Sequence, residues 1–143
     1  MYQDLELRID QIKSDNPDDF VFHYAIKEQI EPDKIVVWVN PEYPSLNDYI
    51  AMGKKLKAIT KEINAFRVIF IGKTKAKSTS ERREYLKNLF NDLPNLKWAY
   101  FVFERGIISL ILLKFIMGRN FSSFSIHKSI KDVIKTIEKN QKE

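Results

Sequence analysis

Two short apolar runs do most to fix what this chain can fold into. "FRVIF" (Phe66–Phe70) and "WAYFVF" (Trp98–Phe103) are almost wholly apolar and rich in β-branched or aromatic side chains. A strand with one wet face alternates apolar and polar residues; runs like these need cover on both faces, as in the interior of a sheet flanked by helices. Between them Leu86, Leu89, Phe90 and Leu93 recur at helical spacing, and Pro94 closes the stripe. Strand, helix, strand in that order predicts parallel strands joined by a right-handed crossover.

The rest of the chain extends the pattern in both directions. "LELRI" (Leu5–Ile9) alternates and reads as a half-buried strand, followed by a turn at "NPDD". "FVFHYAIKEQI" and "KIVVWVN" flank "EPDK" and predict an antiparallel hairpin. A helix is expected from Ser45 or Leu46, with Asp48 placed to complete a capping box with Ser45. Leu46, Ile50, Gly53, Leu56, Ile59 and Ile63 recur along it, with Lys54, Lys57 and Lys61 mostly on the other side. "SSFSIHK" reads as a short strand, and "SIKDVIKTIEK" places Ile130, Val133, Ile134 and Ile137 on one face of a last helix. The expected order is β-β-β-α-β-α-β-α-β-α: an α/β fold on one mixed sheet, with N-terminal antiparallel strands and four helices. We expect one domain over residues 1–143, with 1–19 an N-terminal strand and turn and 20–140 the core.

Several chemistries are excluded by what is missing. There is no cysteine, which removes disulfides, thiol nucleophiles and cysteine metal sites. The two histidines, His23 and His127, lie in expected strands far apart, and no HExxH or GxSxG occurs. A lone strand histidine is more often packed or solvated than catalytic, so neither an enzyme nor a metal or other cofactor is expected. The opening "MYQDLELRID" carries acids where a signal peptide would be apolar, and a cytoplasmic location is the expectation. The formal charge of +5 would suit an anionic partner, but no nucleic-acid motif accompanies it.

One stretch, "IGKTKAKSTSERREYL" (Ile71–Leu86), invites several readings. Gly72-Lys73-Thr74 ends like a phosphate-binding P-loop, but the position of its first glycine holds Arg67 inside a strand, so no backbone cradle forms there. The lysines of the loop lack the interleaved aromatics of a single-strand binding surface, and solvation is favoured over a nucleic-acid groove. Ser78 and Glu81 have capping-box spacing, so a hydroxyl here can satisfy amides at a helix start. Ser78, Thr79 and Ser80 are also candidate phosphoacceptors, because a phosphate gains from a helix dipole and its unpaired amides. Lys73, Arg82 and Arg83 are the candidate contacts for such a phosphate or for a partner.

A second stretch, Ile107–Met117, is apolar nearly all round. A bilayer span needs about 20 apolar residues, so no transmembrane segment is expected. Ile107, Ile108, Leu110, Ile111, Leu112, Phe115 and Ile116 are expected either to pack against the sheet and a neighbouring helix or to be covered by a homodimer partner, another protein or an apolar ligand.

The segment "KWAYFVFERGIISLILLKFIMGRNFSSFSIHKSIKDVIKTIEK" resembles the end of small bacterial STAS-type proteins, the SpoIIAA-like group. These end in a strand, a strongly apolar helix, a short strand with an aromatic-x-aliphatic pattern and an amphipathic helix. The resemblance implies a STAS-like sandwich and a non-enzymatic regulatory module that binds a kinase or an anti-sigma-like regulator. It further implies a phosphorylation switch at the start of the second helix of the fold, where Ser78, Thr79 and Ser80 stand. The chain departs from the antagonists' Asp-Ser-Ser-Gly-like motif: Lys77 precedes Ser78, and no glycine follows the hydroxyls. The SpoIIAA-like group is also similar to lipid-binding SEC14-type domains, which implies a carrier of an apolar ligand as the alternative.

Overall fold

The structure, a computed structural model, describes residues 2–12, 16–24, 34–72, 79–103 and 124–142. The expected apolar helix Ile107–Met117 and the candidates Lys73 and Ser78 lie outside these residues.

Among the described residues, five strands form one mixed sheet: β1 (Val21–Tyr24), β2 (Lys34–Val39), β3 (Phe66–Gly72), β4 (Leu96–Phe103) and β5 (Phe124–His127). They lie side by side in chain order. β1 and β2 pair antiparallel, Val21 opposite Trp38 and Tyr24 opposite Ile35. β2–β3, β3–β4 and β4–β5 are all parallel. The two apolar runs thus occupy interior strands, as expected.

Alternation along each interior strand feeds two cores. Val36, Trp38, Val68, Phe70, Ala99 and Phe101 face helices α2 (Leu46–Thr60) and α3 (Ser80–Asn91). Ile35, Val37, Val39, Ile69, Ile71, Tyr100 and Val102 face α1 (Tyr2–Asp10) and α4 (Ile130–Lys142). A right-handed crossover rule explains the segregation: α2 and α3 each join neighbouring parallel strands of a sheet that grows in one direction, so both fall on one face. The end helices α1 and α4 join no parallel pair and cover the other face. The first core is aromatic, with Trp38 stacked on Phe70 at 5.9 Å and Phe70 set 5.2 Å from Phe101. Burial of each such side chain contributes about 1.5–3 kcal/mol. Among the described residues, no buried side-chain nitrogen or oxygen lacks a hydrogen-bond partner.

One expectation is corrected. "LELRI" is no strand but the middle of α1. Leu5 and Ile9, four residues apart, are both buried, whereas Leu7 is 57% exposed. Leu-x-x-x-Ile is a helical contact pair, and Leu, Glu and Arg are good helix formers, so the i, i+4 pairing overrides the alternation. Arg8 then lies 3.9 Å over the ring of Phe22 and donates to the His23 carbonyl, fastening α1 beside β1. The element order therefore opens with a helix, and α1 is one of the four described helices. At α3 the N-cap is Thr79, whose side chain accepts from Arg82 N; the Ser78 half of the expected Ser78–Glu81 capping box lies outside the described residues. The Ser45–Asp48 box at α2 forms in full.

Candidate functional site

Every loop that follows a parallel strand opens at the carboxyl edge of the sheet, where α/β folds place their ligands and partners. One of them, the β2–α2 loop, is tied here to the start of α3. At the end of β2, Asn40 is buried and its Oδ1 accepts the Trp38 indole N–H at 2.7 Å. The Asn40 amide donates to Ile71 O, so the chain leaves the sheet in a fixed direction. It then runs through Pro41 to Pro44, and Tyr43 stands out at 71% exposure.

From the other side, Arg82 on the first turn of α3 reaches across. Its Nη1 donates to Pro44 O at 2.8 Å and its Nε donates to Thr79 Oγ1 at 3.2 Å. Its guanidinium lies 6.0 Å from the Tyr49 ring on α2. Only 6% of Arg82 is exposed. The guanidinium fork thereby locks the β2–α2 loop to the α3 N-terminus, a task that suits a planar multidentate donor. Thr79 and Ser80 remain exposed beside it, and Arg83 is half-buried.

The sequence candidates therefore separate. Thr79 and Ser80 share one exposed helix start, and Thr79 Oγ1 is in use as the cap acceptor for both Arg82 N and Arg82 Nε. Arg82, read from the sequence as a phosphate contact, sits beneath this surface and braces it.

A second cluster, at the far edge of the sheet, escaped the sequence reading. His127 closes β5 at 7% exposure, its ring 5.6 Å from that of Tyr100. His127 Nε2 lies 2.6 Å from Ser125 Oγ, and Nδ1 lies 2.7 Å from Asp132 Oδ2. The Trp98 indole N–H donates to the same Ser125 Oγ at 3.0 Å. In the neutral form of the ring, partner chemistry assigns the protons: Nδ1–H donates to the carboxylate, and the Ser125 hydroxyl donates to Nε2. Asp132 is held in turn at the first turn of α4, where its amide donates to Ser129 Oγ. The signal was present in "SIHKSIKD": Ser-x-His places both side chains on one face of a strand, and an acid follows in the first turn of the next helix.

The opposite, amino edge carries a shallow depression of about 160 Å³ lined by Lys57, Thr60, Lys61, Phe66, Asp92, Leu93, Pro94 and Asn95. An exposed ion pair, Lys57 Nζ to Asp92 Oδ2 at 2.9 Å, crosses it. The hydrogen bond and charge of Lys57 hold the Asp92 carboxyl below its ordinary range. No helix among the described residues is long and apolar enough to cross a membrane.

Comparison with protein-family models, curated proteins and solved structures gives no match, so the functional reading rests on the geometry of the chain itself.

Proposed function

We propose that this chain is a STAS-like protein-interaction module that docks a regulatory partner protein at the carboxyl edge of its sheet. The observation that carries the reading is the Arg82 brace, which makes one rigid surface of the β2–α2 loop and the α3 start. That surface presents an exposed aromatic, Tyr43, next in the chain to the braced Pro44, and two exposed hydroxyls, Thr79 and Ser80. Tyrosine is a common anchor at protein interfaces because it offers large contact area at low entropic cost. A surface held in place before binding loses less freedom when a partner docks.

Phosphorylation at Ser80 or Thr79 is the proposed switch. A phosphate at the first turn of α3 gains from the helix dipole and unpaired amides, so the fold accepts it, while about −2 charge changes what the surface attracts. On Thr79 the modification also takes the cap oxygen from Arg82 and loosens the brace. On Ser80 the brace stays intact and only the charge changes.

The test is quantitative affinity capture from the native host with wild type, Ser80→Asp and Thr79→Asp as baits. The reading expects one or more partners retained by wild type and changed severalfold by Ser80→Asp. Indistinguishable profiles for all three baits would remove the switch.

A further inference from the structure

We infer that Ser125 is a base-activated nucleophile that accepts an acyl group from an activated ester, a reaction separate from partner docking at the β2–α2 loop and the α3 start. The group order is that of serine acyl-transfer chemistry: hydroxyl to Nε2 at 2.6 Å, and Nδ1 to a carboxylate at 2.7 Å. Such an arrangement is recognised by its geometry and roles, whatever the fold that carries it.

A purely structural pin between β5 and α4 would need only the contact from His127 to Asp132. The contact on the other ring nitrogen goes further. When the imidazole is neutral, the carboxylate on Nδ1 fixes the tautomer that leaves the Nε2 lone pair open to the Ser125 hydroxyl. The imidazole cannot turn away, since Tyr100 packs against it and its two nitrogens are both engaged. Ser125 itself is only half-buried, on the edge strand of the sheet, so an ester can reach it from solvent. The half-buried indole of Trp98 lies beside it, an apolar wall for a small acyl or aryl group. Its N–H also stabilises negative charge that develops on Oγ.

The chemistry closes without a further reagent. Oγ attacks the acyl carbon and forms an Oγ–C bond, and its proton passes to Nε2. Collapse breaks the bond to the alcohol, which leaves with that proton. Water then gives a proton to Nε2 and attacks the acyl carbon; the Oγ–C bond breaks and Oγ takes the proton back. Ser125 and His127 touch the reacting atoms. Asp132 is a positioning residue.

The experiment uses the full chain with an alkyl fluorophosphonate, which phosphonylates activated serines with loss of fluoride, read by intact mass and peptide mapping. The expected result is a single adduct on Ser125, absent in Ser125→Ala. In His127→Ala the labelling rate falls about 10²–10⁴-fold, the usual range for a lost general base, and added imidazole restores part of it. Asp132→Asn lowers the maximal labelling rate and leaves the half-saturating probe concentration unchanged, a split that simple loosening of the fold would not give. Circular dichroism checks that each variant is folded; Asp132 has a side chain 58% exposed, so its variant serves if His127→Ala does not fold. Folded wild type that takes no label, or an adduct mapped elsewhere, overturns the inference. So does a folded His127→Ala, or an Asp132→Asn, that labels as fast as wild type.

Discussion

Replacing Arg82 by methionine should cost about 2–3 kcal/mol of stability, an estimate built from the contacts that are lost. Methionine keeps the length and apolar stem of the side chain but has no donor. The Pro44 carbonyl, buried beside it, loses a charged donor at 2.8 Å, and Thr79 Oγ1 loses one at 3.2 Å. Hydrogen bonds from charged donors contribute about 1.5–3 kcal/mol each, and an orphaned buried acceptor costs about 1–3 kcal/mol. Relief from burying a cation works in the opposite direction and takes back part of the sum. Thr79→Ala removes the cap acceptor at a cost of about 0.5–2 kcal/mol. Because the two variants share the bond between Nε and Oγ1, the double variant should fall short of additivity by at least 0.5 kcal/mol, as contacting pairs do. Lysine at position 82 should not rescue, since one ammonium cannot reproduce the fork. Urea denaturation followed by circular dichroism, with an unchanged m-value, gives these numbers directly. A loss below about 0.5 kcal/mol for Arg82→Met, the scatter of ordinary surface changes, would refute the brace.

Two further outcomes follow from other contacts. A Cβ at Gly53 would clash with Tyr85 Oη and meet Leu89 Cδ2 at 3.3 Å, where α2 crosses α3. Gly53→Ala should therefore destabilise by about 1–3 kcal/mol despite the better helix propensity of alanine, and adding Tyr85→Ala should recover part of that loss in thermal melts. For the Lys57–Asp92 pair, the folded-state Asp92 titrates below its ordinary range, so its contribution is present above that range and is lost as pH falls through the lowered value. Carboxyl-carbon NMR titration should show the Asp92 midpoint rising in Lys57→Met; an unmoved midpoint would mean that the lysine is not the cause.

The interior of the fold was legible because its signals are redundant. Phe66–Phe70 and Trp98–Phe103 have too few polar positions to tolerate a wet face, and both became interior strands. The Ser45–Asp48 box marked the start of α2, where apolar and capping patterns agree. The start of the chain was misread because Leu5, Leu7 and Ile9 satisfy two periods at once, and only the packing of Leu5 and Ile9 against the α4 side of the sheet selects the helix. At α3 the cap is Thr79, whose hydroxyl is held by an Arg82 that also bonds Pro44, far away in sequence, a contact that local spacing does not show. The Ser125–His127–Asp132 cluster was hidden for a similar reason. Its fourth member, Trp98, comes from the neighbouring strand, and the near burial of His127 depends on helix α4 folding back over β5.

The most direct test of the docking surface replaces Tyr43 with a photo-crosslinking phenylalanine analogue and compares it with the same analogue at Asn95, on the opposite edge. After irradiation in the native host, the account predicts a discrete protein adduct at position 43 that Ser80→Asp changes, and no matching adduct at position 95. The same adducts at both positions, or none at position 43, would contradict it.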